Sequence, residues 1–510
     1  MSKTQSNTPD KTQQYHKSSQ ESVKVLERLE TGITGLDEVL GGGLAKGRTM
    51  LVTGTTGTGK TVLLNEFLYR GITKYNQNGI YITFEERPDD IIRNTSGFGW
   101  NYVELINSGQ LAIIDCSPKF VQTGQSGDFD WEVLLQRVAH FIEKIGAERV
   151  AVDSIGTVFG RYSHLVGEYK VRELLFALMD QFKKLGVTTL ISAERTIEHG
   201  VHGGNSIEEF VSDGAIRLGT HHGQNKIIRT VSVLKMRGLG YRSGLVEYDI
   251  DACGLSIYPK IPLDSNTAIT DFNIRESTGI TNLDEAMSGG VPQGHMMLIA
   301  GNTGTGKTLL GMHFLVQGIK EGQKCLWIAL EEPVAQLKKT AKAHDWDLEL
   351  FEQEGKLHFI RSELIDISTD KLLRQIVATV KAQAIERVVI DSVSSLESST
   401  MDSNKIREFL IQVSTFFKTR GISCYMNYLS ADSFGAGEGQ FFGSLATNEM
   451  RLSSIVDGIV LLRYVERDQR IMKLMNIFKL RGSDHIRDIF RYEIMQGGIK
   501  LGKRFAKTKG

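Results

Sequence analysis

Apolar residues along the chain gather into short uninterrupted runs that alternate with longer helix-like stretches, and the whole alternation occurs twice. A β-rich run at residues 48–54 (RTMLVTG) enters a glycine loop and is followed by a helical stretch at 61–75 (TVLLNEFLYRGITKY). Residues 295–301 (HMMLIAG) and 308–321 (TLLGMHFLVQGIKE) repeat that order. Next come a strand (GIYITFEE, 79–86; KCLWIALEE, 324–332), a helical region, and a buried strand ending in aspartate (AERVAVDS, 147–154; IERVVIDS, 385–392). A further helix and strand follow (VTTLISAE, 187–194; ISCYMNYL, 422–429). Strands that alternate with helices pair in parallel through right-handed crossovers. Each half is therefore expected to be an α/β domain, a mostly parallel twisted sheet with helices on both faces. More strictly alternating stretches close each half (IIRTVSVLKMRG, 227–238; RIMKLMNIFKLRG, 470–482) and are expected to add antiparallel strands.

The recurrence extends to identity. Displaced by 247 positions, Thr31–Thr61 overlays Thr278–Thr308 with 19 of 31 residues identical. A repeat of this size is too long for a solenoid and reads as a duplicated globular domain. The expected organisation is a first domain over 23–258, a polar linker over 259–272, a second domain over 273–500 and a short basic tail over 501–510. Residues 1–22 carry almost no apolar side chains, too few to offset the entropy of ordering, and are expected to be disordered.

Composition narrows the function classes. The 510 residues are enough for two to four domains. Lys+Arg and Asp+Glu are both 60, and this neutrality argues against a general nucleic-acid coat protein or an anionic-membrane binder. Cys116, Cys253, Cys325 and Cys424 fall in no zinc or redox spacing. With no membrane-length apolar run and no signal-peptide core, a cytoplasmic protein is expected.

The candidate chemistry lies in the repeated loops. Gly54-Thr55-Thr56-Gly57-Thr58-Gly59-Lys60-Thr61 and Gly301-Asn302-Thr303-Gly304-Thr305-Gly306-Lys307-Thr308 both fit the G-x-x-x-x-G-K-[ST] pattern. Glycines let backbone N–H groups converge on phosphate oxygens, and the following helix N-terminus adds partial positive charge. Lys60 and Lys307 would reach the β- and γ-phosphates of ATP. Thr61 and Thr308 would hold Mg²⁺ together with Asp153 and Asp391, and Glu331 is a further candidate ligand. Glu85-Glu86 and Glu331-Glu332 end the strand expected beside the phosphate loop, where one carboxylate can activate an attacking water or hydroxyl. Lys235-Met236-Arg237 and Lys479-Leu480-Arg481 place two cations on one face of a strand, suited to stabilising charge on a transferring phosphoryl group.

These paired motifs, TGITGLDEVLGGGL with TGITNLDEAMSGG, GTTGTGKT with GNTGTGKT, FEE with LEE, and KMRG with KLRG, resemble the KaiC family over about residues 23–500. The resemblance implies two tandem RecA-like P-loop NTPase domains and a homohexamer with ATP between subunits. It implies that the Lys/Arg pairs act in trans, that the first ring mainly hydrolyses ATP, and that the second phosphorylates itself on serine. Aligning Asp213 with Asp457 sets Glu209-Phe210 opposite Ser453-Ser454, the expected acceptors, on a segment read as extended. Ser483, His485 and Arg487 match nucleotide-contacting positions of the second ring, whereas the first half continues Gly238-Leu239-Gly240-Tyr241. A KaiB-like partner on the first ring fits the resemblance. KaiA-type activation is not expected, because only KLGKRFAKTKG follows Ile499.

Two other classes remain open on the sequence. A DNA-dependent recombination ATPase of RecA/RadA type would bring basic DNA-contact loops or a zinc module. A signalling scaffold would bind ATP to hold its assembly with negligible turnover.

Overall fold

The computed structural model describes residues 26–116, 131–156, 168–194, 212–222, 227–261, 273–361, 368–399, 403–430, 452–467 and 469–504. The N-terminal tail, linker residues 262–272, Glu209-Phe210 and residues 505–510 lie outside them. The chain divides after Pro259 into two compact units.

In the first unit the elements are β1 (Thr49–Gly54), α1 (Lys60–Tyr75), β2 (Gly79–Thr83), α2 (Pro88–Ser96), β3 (Leu111–Asp115), α3 (Trp131–Ile145), β4 (Arg149–Asp153), α4 (Glu168–Lys184), β5 (Thr188–Glu194), β6 (Gly214–His222), β7 (Ile227–Met236), β8 (Val246–Asp251) and β9 (Gly254–Ile257). They build one nine-stranded sheet in the order β9-β8-β7-β6-β1-β5-β4-β2-β3. The strands from β3 through β6 pair in parallel, and β7, β8 and β9 extend the sheet antiparallel.

The second unit repeats this plan with β10 (Met296–Gly301), α5 (Lys307–Lys320), β11 (Cys325–Ala329), α6 (Val334–Lys342), β12 (Leu357–Arg361), α7 (Thr369–Gln383), β13 (Arg387–Asp391), α8 (Val393–Ser399), α9 (Ser403–Lys418), β14 (Ser423–Leu429), β15 (Gly458–Arg467), β16 (Arg470–Leu480), β17 (Ile489–Met495) and β18 (Gly498–Arg504). Its order is β12-β11-β13-β14-β10-β15-β16-β17-β18. These are tandem RecA-like α/β domains.

Each sheet buries both faces, which is why β1 and β10 are buried at every position and read as unbroken apolar runs. On one face α1 and α5 pack Phe67, Leu68, Phe314 and Leu315 against the strands. Full burial of each such side chain stabilises by about 2 kcal/mol.

Three expectations are corrected here. β2 and β11 end at Thr83 and Ala329, so Glu85-Glu86 and Glu331-Glu332 lie just past the strands they were expected to end, and β2 does not lie beside the phosphate-loop strand, because β5 and β4 intervene between β1 and β2. Residues 501–504, expected to be tail, continue β18, with Leu501 paired to Tyr492 and Arg504 to Phe490. Ser453 and Ser454 are not on an extended segment. Leu452–Val456 is a helical turn in which Ile455 and Val456 N–H donate to the Leu452 carbonyl at 2.9 and 3.2 Å.

Candidate functional site

Both glycine loops join a central strand to a helix, and their backbone shape needs glycine. A Cβ on Gly54 would stand 2.6 Å from the Leu218 carbonyl oxygen, and one on Gly301 would stand 2.4 Å from that of Leu462. Gly59 and Gly306, which start α1 and α5, sit at φ 85° and 97°, a region other residues rarely enter. The Lys60 amine donates to the carbonyls of Gly54 (2.9 Å) and Thr55 (3.0 Å), and Lys307 does the same to Gly301 (2.8 Å) and Asn302 (3.0 Å). Burial lowers both amines from their ordinary values. Neutral carbonyls are weak competitors for these cations compared with phosphate oxygens. Thr58 is tied to Thr55 and Thr305 to Asn302, so both loops are braced from within, and Thr56 ties the first loop to Glu194 at the end of β5.

The hydroxyl and carboxylate expected to share a divalent cation meet in both units. Thr61 Oγ1 donates to Asp153 Oδ2 at 2.7 Å, and Thr308 Oγ1 to Asp391 Oδ2 at 2.8 Å. A hydroxyl and a carboxylate are the hard oxygen donors that suit Mg²⁺, which takes its remaining ligands from phosphates and water. Among the described residues no group of three or more His, Cys, Asp or Glu forms a metal cage, so a cation here would draw its remaining ligands from nucleotide phosphates and water. The donor set therefore fits Mg²⁺ carried with a nucleotide.

The adjacency of β4 to β2, and of β13 to β11, brings the paired glutamates in. Ser154 Oγ donates to Glu85 at 2.9 Å, and Ser392 Oγ to Glu331 at 2.6 Å. Each serine directly follows the aspartate on the neighbouring strand, so one Asp-Ser step orients two carboxylates. Glu331 is thereby oriented by Ser392, beside the Thr308–Asp391 pair. Burial raises Glu86 and Glu332 above the ordinary carboxylate value, with the nearby Asp153 and Asp391 charges adding to the rise. Glu331 and Glu332 border an open cavity of about 1040 Å³ that Lys338, Lys339, Lys342 and Arg361 also line.

The basic pairs close the sheet on its other side. Met236 and Leu480 end β7 and β16, with Lys235 and Lys479 just before them and Arg237 and Arg481 one residue beyond. Both arginine N–H groups are fixed by a carbonyl, of Asp213 (2.9 Å) and Asp457 (2.8 Å). Met236 is buried at 6%, as is Leu480, and both act as anchors for the flanking cations. Lys479 Nζ donates to the carbonyls of Ser453 (2.5 Å) and Val456 (2.8 Å), while Arg481 Nη2 donates to that of Ser454 (3.3 Å). The pair and the candidate acceptors are thus in contact within one chain. Ser483, His485 and Arg487 follow in the loop to β17, where Ser483 Oγ donates to the Asp484 carbonyl at 3.0 Å.

Some contributors carried no signal as functional residues. Tyr81 and Ser192 both donate to Asp153, the former at 2.7 Å. Arg149 and Arg387 are fully buried. Arg149 donates to the carbonyls of Glu30 (2.6 Å) and Phe67 (3.0 Å), and Arg387 to those of Ser277 (2.7 Å) and Phe314 (3.0 Å). Each clamps the chain segment N-terminal to its phosphate loop, at Glu30 or Ser277, onto the helix that follows that loop, at Phe67 or Phe314. The repeated T-G-I-T-x-L-D-E pattern serves the same clamp, since Asp37 accepts from Thr31 N at 2.8 Å and Asp284 from Thr278 N at 2.7 Å.

A family model described as "ATPase: KaiC" matches residues 29–261 and again 276–505. The chain is 37% identical to the circadian clock oscillator protein KaiC of Parathermosynechococcus lividus, over 98% of this chain and 89% of that one. It is 37% identical to the protein of the same name from Thermostichus vulcanus (97% and 93% covered) and 35% identical to that of Acaryochloris marina (98% and 92%). None of the helices among the described residues is long and apolar enough to cross a membrane. With two matching domains, each carrying a phosphate loop, a hydroxyl–carboxylate pair and oriented glutamates, the chain belongs to the KaiC family of ATPases.

Proposed function

We propose that the protein is a hexameric ATPase and serine autokinase in which the first domain hydrolyses ATP and the second phosphorylates Ser453 and Ser454. The observation that carries this reading is an asymmetry within a duplicated site. Both units hold a carboxylate pair steadied by a serine, but only the second has hydroxyls at the aligned acceptor turn. Lys60 and Lys307 hold the β- and γ-phosphates, and Thr61 with Asp153, and Thr308 with Asp391, hold the cation. When bound, Mg²⁺ neutralises charge on the phosphates. Glu85 or Glu86 orients water in the first domain. Glu331, with Glu332 beside it, takes the serine proton in the second while the serine oxygen bonds phosphorus and ADP departs. Lys235 with Arg237, and Lys479 with Arg481, Ser483, His485 and Arg487, serve the nucleotide of the adjacent subunit.

The relatives' names place them in circadian clocks, and a role in clock or stress-type signalling, with a KaiB-like partner on the first domain, is proposed on that likeness. The balanced charge supports this over a DNA-dependent RecA/RadA-type role.

Intact-mass measurement after incubation with Mg-ATP tests the acceptors: phosphate is expected on the wild type and not on Ser453→Ala/Ser454→Ala. Mixing Lys307→Ala subunits with Ser453→Ala/Ser454→Ala subunits tests transfer between subunits. Phosphate should appear on the Lys307→Ala chain only in the mixture, and an unmodified mixture refutes transfer in trans.

A further inference from the structure

Among the described residues, the acceptor turn of the second unit meets more cations than carboxylates. Lys479 and Arg481 bond to carbonyls of Ser453, Ser454 and Val456. Lys418, the last residue of α9, pairs with Asp457 Oδ1 at 2.9 Å, and Arg481 Nη1 stands 3.9 Å from the same oxygen. Among the described residues in these contacts, three are cations and one is a carboxylate. In the first unit Asp213, the counterpart of Asp457, pairs with Arg48 at 3.2 Å. His295 occupies the place of Arg48, and its ring nitrogen bonds the Arg481 carbonyl at 3.0 Å. The exchange removes a cation that would have occupied Asp457 and pins the Arg481 main chain beside the turn.

Neutral carbonyl oxygens are weak partners for Lys479 and Arg481. A phosphate ester brings about −1.5 to −2 charges and three acceptor oxygens, and its charge-assisted bonds are about twice as strong. Ser454 is exposed and Ser453 half-buried, so a phosphate on Ser454 can turn toward the exposed Arg481 without opening the core.

Resting on the reading that this turn is the acceptor, we propose that Lys479, Arg481 and Lys418 form a receptor for the turn's own phosphate. Once esterified, Ser454 captures Lys479 and Arg481 within its own chain and withdraws them from the nucleotide of the adjacent subunit. Phosphorylation of the second domain is then self-limiting, because the product disarms the cations that support phosphoryl transfer next door.

The test uses the full-length chain with Glu85→Gln/Glu86→Gln silencing the first domain, and compares ATP turnover of Ser454→Glu with Ser454→Gln. The two side chains match in size and differ in charge. Turnover of the glutamate variant is expected to be at least about tenfold slower, a fraction of what an arginine finger is worth. Equal rates overturn the capture. A ³¹P titration of the ATP-treated full-length protein reads the phosphate directly: its second pKa is expected well below the ordinary value of about 6, and a value near 6 overturns the proposal. If intact mass shows no phosphate at the turn, the acceptor reading fails, and the glutamate–glutamine comparison still decides whether the receptor takes a negative charge.

Discussion

Asp153 and Asp391 end equivalent strands but live in different surroundings. Asp153 accepts hydrogen bonds from the hydroxyls of Thr61, Tyr81 and Ser192. At the positions of Tyr81 and Ser192, the second unit has Trp327 and Asn427, read from the ladder registers. Asp391 keeps Thr308, and burial raises its carboxyl above the usual range. The hydroxyl–carboxylate pair at the phosphate loop is therefore common to both units, while the network behind it has diverged. A second exchange lies on the helix after each loop. Glu66 accepts the Leu255 N–H at 2.7 Å, whereas His313, its counterpart, accepts the Ile499 N–H on Nε2 at 2.7 Å. The same tie between helix and edge hairpin is made once by a carboxylate and once by a neutral imidazole. Duplication conserved the geometry that meets the phosphates and left its titrating supports free to change.

The comparison breaks most visibly at the loop lysines. Lys60→Ala and Lys307→Ala should each lower nucleotide-dependent activity of their own domain by roughly 10²-fold or more. Lys60→Ala should also disturb ATP-driven assembly more, measured by light scattering with and without an ATP analogue. Equal loss of assembly in both variants would show that the units do not differ in this respect.

Acid should separate the two helices. Burial pushes the His313 imidazole down to about 4, so the folded form stays neutral where the unfolded chain takes up a proton. Its stabilisation is complete above the unfolded value of about 6.5 and is lost as pH falls through about 4, at most about 3 kcal/mol. Burial raises the Glu66 carboxyl, so the folded first unit binds protons more readily and its ionisation opposes folding as pH rises. Hydrogen exchange in α5 should therefore quicken, relative to intrinsic rates, between pH 7 and 4.5, while α1 does not. His313→Gln should flatten the response of α5, and an unchanged slope would assign it to other groups.

The smallest effect should come from Tyr81→Phe, which removes one hydroxyl from Asp153 and costs about 1 kcal/mol. Trp327→Phe removes no bond to Asp391 and should leave the affinity of the second domain for Mg-nucleotide unchanged. Titration of each variant with Mg-ATP would show whether the extra hydroxyl is felt at the first site alone.

The loops and the aspartates that serve them were legible because phosphate binding demands glycine, lysine and a hydroxyl at fixed spacing. Strand order was not, since sequence adjacency of β1 and β2 says nothing about the two later strands that insert between them. The Ser453–Ser454 turn reads as extended in sequence because the β-branched Ile455 and Val456 follow it, and a single helical turn leaves no periodicity to detect. Arg149 and Arg387 sat in plain view within the repeated E-R-V. A charged residue in that context reads as surface, and only the fold reveals the carbonyls that solvate it. The same holds for Lys418, whose partner Asp457 lies 39 residues away.

On the proposed function, the duplicated sites direct one chemistry to two nucleophiles. The most direct measurement follows phosphate release and protein-bound phosphate together in two full-length variants. Glu85→Gln/Glu86→Gln should lose most phosphate release and keep self-phosphorylation, and Glu331→Gln/Glu332→Gln should do the reverse. Equal loss of both activities in either variant would contradict the division of labour.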